Sequence, residues 1–222
     1  MLSFACVYGT IPIWGCLFSE SVRPNSLLRN IISRDALSTD RINFEKNTLD
    51  SVLDIYEAIS RLDHLFHADR GTVLAEVERA LSFAKSTQVD VASFRHHLST
   101  SEKLNVCCQI SCQLFWEMLR RQFESEKTLN TIAKYETRQL LTRLLQIEPS
   151  YWIQNAPEVF AWVAFTGAAA SNCSDECVAF ISNATTILSA VDGEKLTLLR
   201  QGWRYFRLLK RLCGDYNTLD DR

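Results

Sequence analysis

Residues 159–170 read VFAWVAFTGAAA and carry no charged side chain on any face. They follow Asn155-Ala156-Pro157-Glu158, a strong helix start. Proline is tolerated in a first turn because its missing N–H had no partner there, and Glu158 complements the helix dipole. A helix that is apolar all round must be covered all round. The rest of the chain therefore has to supply a complete shell. Gly167 and the alanines at 168–170 are small enough to let neighbouring backbones come close. The segment reads as the central helix of a bundle.

The shell is itself helical. Tight turns, hairpins and phosphate-cradling loops need glycine, and only 7 glycines and 4 prolines are spread over 222 residues. That pattern predicts an all-α fold: an irregular bundle of seven to nine helices around a buried apolar central helix. The length suits one domain, with residues 1–42 as an apolar N-terminal arm and polar linker and residues 43–222 as the helical domain. A chain of this size buries roughly 70% of the surface its unfolded form exposes, so its core needs neither disulfide nor metal.

Periodicity places the elements. Leu49, Val52, Leu53, Tyr56, Ile59, Leu62 and Phe66 follow the 3, 4, 3 spacing of one helix face, with Gly71 as its end. A second helix spans about 72–85, with Leu74, Val77, Leu81 and either Phe83 or Ala84 inward, and a short one surrounds 91–97. Ser99 and Glu102 form a capping-box pattern ahead of a long helix over about 100–122 carrying Val106, Ile110, Leu114, Phe115 and Met118. The next covers about 129–145, with Ile132, Tyr135, Leu140, Leu141 and Leu144 inward, and Pro149 stops it. Two more follow the central helix, near 175–190 and 194–213. Upstream, 19–42 is a linker with one short helix at 27–32.

Residues 2–18 are uncharged. No Lys or Arg precedes them and no A-x-A site follows, against a signal peptide. Gly9, Pro12 and Gly15 interrupt a stretch already short for a membrane span. An apolar arm packed on the domain, or the scar of a truncated start, fits better.

Chemistry-bearing residues are present without the spacing that chemistry requires. His64 and His67 lie three apart beside Asp63 and Asp69. A metalloprotease helix needs H-E-x-x-H, and the plain reading is the solvent edge of an amphipathic helix. His96 and His97 point about 100° apart on a helix. Cys107, Cys108 and Cys112 share one helix and Cys173 and Cys177 are four apart, whereas zinc sites take CxxC knuckles from turns. These thiols read as reduced core residues of an intracellular protein. GxSxG, GxxxxGK[ST] and GxGxxG motifs are all missing. The expectation is a chain that is not an enzyme and holds no cofactor and no metal.

The formal net charge of -2, from 24 basic and 26 acidic side chains, provides no global field toward nucleic acid or an anionic membrane. Charge is ordered in one place. Arg200, Arg204, Arg207 and Arg211 fall at spacing 4, 3, 4 and form a narrow stripe, about 110° from a face of Leu196, Leu199, Trp203, Phe206 and Leu209. The plain reading is a solvated face with salt bridges. The sharper one is a docking edge for an acidic partner, because arginine makes forked contacts with carboxylate and phosphate.

From about residue 100 to 213 an order of features carries a resemblance. Ile110-Ser111-Cys112-Gln113-Leu114-Phe115-Trp116 is a small-and-aromatic helix, and the leucine-rich 139–145 follows it. Next come the proline-led segment 157–170, with its tryptophan and small-residue run, and then Phe180. Trp203 with Leu208-Leu209-Lys210-Arg211-Leu212 closes the series. The order resembles the C-terminal regulatory domain of fungal-specific zinc-cluster transcription factors. The resemblance implies a transcription-regulatory domain in the nucleus that responds to protein partners, possible transcription machinery among them, or to a small-molecule effector. The six-cysteine cluster that reads DNA in that family has no counterpart here, as no two cysteines stand at CxxC spacing. The chain would be a regulator without its reader, with no specific DNA binding of its own and no membrane role. The alternative is a helical interaction or scaffold protein unrelated to transcription, located in the cytoplasm.

Overall fold

The computed structural model describes residues 26–37, 44–60, 70–86, 98–123, 130–171, 174–191 and 195–212. The segment 2–18, the helix expected at 91–97, the four histidines, and Cys6, Cys16, Cys173 and Cys213 lie outside the described residues. The fold is all-α. Among the described residues there are nine helices and no strand. They are α1 (Ser26–Leu37), α2 (Lys46–Ser60), α3 (Arg70–Ser86), α4 (Thr100–Phe123), α5 (Asn130–Leu145), α6 (Pro149–Asn155), α7 (Pro157–Ala170), α8 (Ser174–Ser189) and α9 (Lys195–Leu212).

Helix α7 is the axis. Pro157 occupies its first turn, Glu158 follows, and every residue from 157 to 170 is buried. Its cover comes chiefly from α8 and α9, then from α4, α1, α5 and α6. Two close approaches make this possible. A methyl group on Gly167 would run into the ring of Phe180 from α8, and one on Gly202 of α9 would run into Phe165. Without a Cβ at those points the aromatic rings fill the space, and the helices sit one side chain closer.

Helix α4 is the second axis, touching α2, α3, α5, α7 and α9. The capping box at its start is formed: Ser99 N donates to Glu102 Oε2 at 2.7 Å, and Glu102 N donates to Ser99 Oγ at 3.3 Å. From Leu104 to Leu119 every residue is buried, polar ones included. Buried polar groups need partners, and most here have one. Asn105 Oδ1 accepts from the backbone N–H of Glu45 at 3.1 Å. Gln109 Nε2 donates to Thr48 Oγ1 at 3.3 Å, and Gln113 Nε2 to the Ala84 carbonyl at 3.2 Å. Glu117 pairs with Lys85 of α3 at 3.1 Å and with Arg120 at 2.9 Å. These bonds tie α2 and α3 to α4.

Several expectations are corrected. The helix expected at 27–32 runs from Ser26 to Leu37, and Leu27, Leu28 and Ile31 belong to the core beside α7. The described part of the segment taken as arm and linker is thus a wall of the bundle. The apolar residues cluster in the first two turns, so the sequence marked the start of the helix and not its extent. Helix α2 is rotated from its expected face: Thr48, Ser51, Val52, Ile55, Ala58 and Ile59 are buried, while Leu53 is 38% exposed. The Gln109–Thr48 bond turns that polar edge inward. Gly71 lies in the first turn of α3 rather than ending the preceding helix. In α3 the inward set is Val73, Val77, Leu81 and Ala84, with Phe83 outward. Tyr135 of α5 is 65% exposed. Pro149 opens a further short helix, α6, whose Trp152 is fully buried and packs at 5.2 Å against Phe160.

Candidate functional site

Helix α9 contains six Lys or Arg residues and no acidic one. Leu198, Tyr205 and Leu209 lie fully inside the core, with Gln201, Gly202 and Phe206 also buried. The deep face is therefore turned from the expected one. Leu199 and Trp203 are only partly covered, while Phe165 packs against the bare backbone of Gly202. Trp203 stacks on Phe206 with ring centroids 5.2 Å apart, and Phe165 meets Trp203 edge-on at 6.5 Å.

The arginine row follows the outer edge. Arg200 and Arg204 are half-buried and Arg207 is exposed. Arg211 continues the row in the last turn of α9, and its side chain lies outside the described residues. Arg200 Nε is enclosed without a hydrogen-bond partner. Trp203 comes three residues after Arg200 and four before Arg207, so a half-covered indole shares a side of the helix with guanidinium groups. Such an edge can offer forked hydrogen bonds to carboxylates and an apolar seat beside them.

A concave feature lies elsewhere, on α2, α3 and α4. Helices α2 and α3 flank a cleft of about 520 Å³ with Trp116 of α4 among its lining residues. Asp50, Asp54 and Glu57 contribute from α2, and Glu76, Arg79 and Phe83 from α3. Burial holds the Asp54 carboxyl above its usual range, the charges of Asp50 and Glu57 add to this, and Arg79 opposes it. Phe83 is 38% exposed. Sequence reading missed this cleft. Carboxylates three and four apart on an amphipathic helix look like any solvated face, and only the packing of α2 beside α3 gathers them. The outward Phe83, left open as an alternative to Ala84, was the one available signal.

The cysteines offer no activated nucleophile among those described. Cys107, Cys108 and Cys112 are fully buried, and burial pushes the Cys107 thiol up to about 12 and those of Cys108 and Cys112 upward as well. Burial also raises Cys177, against the influence of Lys210. Reactive cysteines are instead partly exposed, in electropositive surroundings. Among the described residues no group of three or more His, Cys, Asp or Glu is arranged to hold a metal ion. No described helix is long and apolar enough to cross a membrane. Compared with known protein families, curated proteins and solved structures, the chain matches none.

Proposed function

We propose that this chain is a transcription-regulatory helical domain without its own DNA-reading module, working in the nucleus by holding an acidic partner protein on the basic edge of α9. The observation that carries the reading is the order α4, α5, α7, α9, with α4, α5 and α9 all packed on the buried α7. It is the order in which the resemblance to the fungal zinc-cluster regulatory domain places its small-and-aromatic, leucine-rich, proline-led and closing helices. The edge of Arg200, Arg204, Arg207 and Arg211 supplies the contact, and Trp203 supplies apolar area beside it. In this reading the chain performs no chemistry. An effector would act by changing how α9 is seated on α7.

Tethering the full chain to an unrelated DNA-binding module upstream of a reporter tests it. The expected result is altered reporter output, lost when Arg200, Arg204 and Arg207 are together changed to glutamine, with the untethered chain in the nucleus. Unchanged output from a chain found in the cytoplasm with a stable partner overturns the proposal in favour of a scaffold unrelated to transcription.

A further inference from the structure

We propose that the edge of α9 seats a partner helix carrying two carboxylates seven residues apart, with an apolar side chain between them against Trp203. The inference rests on the reading of that edge as the partner contact, and adds the form and spacing of what is held there.

Arg200 and Arg207 are the two anchor points. Neither pairs with an acidic side chain among the described residues, whereas Arg204 and Lys210 are engaged within the fold. Leu198, Tyr205 and Leu209 are fully buried, and Arg200 and Arg207 leave α9 on the side opposite them. Seven residues make two turns less about 20°, so the two side chains start on nearly one line, about 10.5 Å apart. Arg200 is half-buried, with its Nε enclosed and without a hydrogen-bond partner. It is therefore held in place with bonding capacity unfilled, and a carboxylate can take two parallel N–H bonds from a guanidinium. Trp203 lies between the arginines in sequence, is only partly covered, and is fixed by its stack on Phe206 at 5.2 Å. The edge offers cation, indole and cation in that order. Spacing selects the form of the partner. On a strand, side chains of one face recur about every 6.6 Å, so two carboxylates about 10.5 Å apart have no register there. On a helix, residues seven apart repeat that distance on one face, and the residue three or four along falls between them, opposite the indole. A phosphodiester backbone would meet the arginines but leave the half-covered indole in water.

Fluorescence anisotropy of the full chain with two labelled alanine-based peptides, each about 18 residues and long enough to be helical alone, tests the site at physiological salt. One peptide carries two glutamates seven apart with leucine four after the first. The other has the same composition with the glutamates five apart, which puts them on different faces. Saturable binding of the first is expected, about fivefold tighter than the second. Arg207→Gln should weaken it about threefold, the loss of an exposed ion pair. Arg200→Gln should weaken it about tenfold, the loss of hydrogen bonds to a charged group. Arg200→Lys keeps the charge without the fork and should weaken it nearly as much. Circular dichroism verifies that the variants stay folded. Equal affinity for the two peptides, lack of saturable binding, or an Arg200→Lys chain that binds like wild type overturns the proposal. So does displacement of the peptide by an equal concentration of duplex DNA, which would make the edge an unselective anion surface. The two readings fail separately. A tethered chain that still alters reporter output through its arginines keeps the regulatory reading when the peptides fail, and a chain that binds the first peptide with an unchanged reporter loses only that reading.

Discussion

The indole N–H of Trp162 donates to the hydroxyl oxygen of Tyr205 across 3.0 Å, and both side chains are fully buried. The bond joins the central helix α7 to α9. Thr166 Oγ1 donates to the Trp162 carbonyl at 2.8 Å and lies 3.4 Å from the same hydroxyl. Two aromatic residues with polar tips are thereby satisfied where water has no access. Tyr205→Phe keeps the ring and strands the indole N–H. That should cost about 1–3 kcal/mol, the desolvation of an unpaired buried donor. Trp162→Ala removes the ring as well and should cost roughly 3–5 kcal/mol. Urea denaturation reads both, and a Tyr205→Phe midpoint equal to wild type would show that the bond is energetically idle.

Alanine at position 202 has two opposed effects. Alanine is a better helix former than glycine by about 1 kcal/mol. Its methyl, however, would collide with the ring of Phe165, which is 2% exposed and packed beside the stacked pair Trp203 and Phe206. In a close-packed interior such overpacking costs about 1–3 kcal/mol, so Gly202→Ala should destabilise. Phe165→Leu in the same chain should recover part of the loss, since residues in contact do not add independently. Thermal melts of the two single variants and the double variant decide it. Equal effects with and without Phe165→Leu would place the cost elsewhere.

How far the sequence disclosed the fold depends on what each segment packs against. Residues 157–170 were legible because a helix with no polar face has one solution, and the capping box of Ser99 and Glu102 because its partners are local. Faces set by distant partners were not. Thr48 and Ser51 turn inward, Thr48 through its bond with Gln109, 61 residues on in the chain, and Leu53 is displaced outward. On α9 the periodic set pointed to Leu199 and Trp203, but Gly202 and Tyr205 define the deep face, since Phe165 and Trp162 occupy the positions opposite. The arginine row was visible as spacing. The cleft was not, because its residues come from three helices.

Glu136 should make stability depend on pH. Burial and the nearby charge of Glu117 raise its carboxyl above the ordinary value of 4.5, with Lys85 and Arg121 opposing, and its Oε2 is enclosed without a hydrogen-bond partner. A raised carboxyl binds its proton more tightly in the folded than in the unfolded chain. Its contribution is therefore most favourable below 4.5, declines as pH rises through the folded value, and is constant above it. Glu136→Gln removes the burial of that charge. The variant should melt higher than wild type at pH 7, with the gain shrinking towards pH 4.5. A melting difference independent of pH, or a lower melting temperature at neutral pH, would contradict this assignment.

The chain alone should not select a DNA sequence. A specific reader combines a positive surface that neutralises phosphates with an element that reaches base edges. The net charge here is -2, and the ordered cations are those of α9. That helix is committed elsewhere: Leu198, Tyr205 and Leu209 are fully buried, and Phe206 is 7% exposed. Its buried face is committed to the core, so only its outer edge is open to a nucleic acid. Phosphate contacts from Arg200, Arg204, Arg207 and Arg211 would weaken as salt rises, because each depends on counterion release. Titration of labelled duplexes of different sequence at two salt concentrations should therefore give weak, sequence-blind binding. That binding should fall with salt and be lost when the four arginines become glutamine. Nanomolar affinity at physiological salt with a clear preference for one duplex would refute the idea of a regulator lacking its reader, because specific complexes in that range require base contacts.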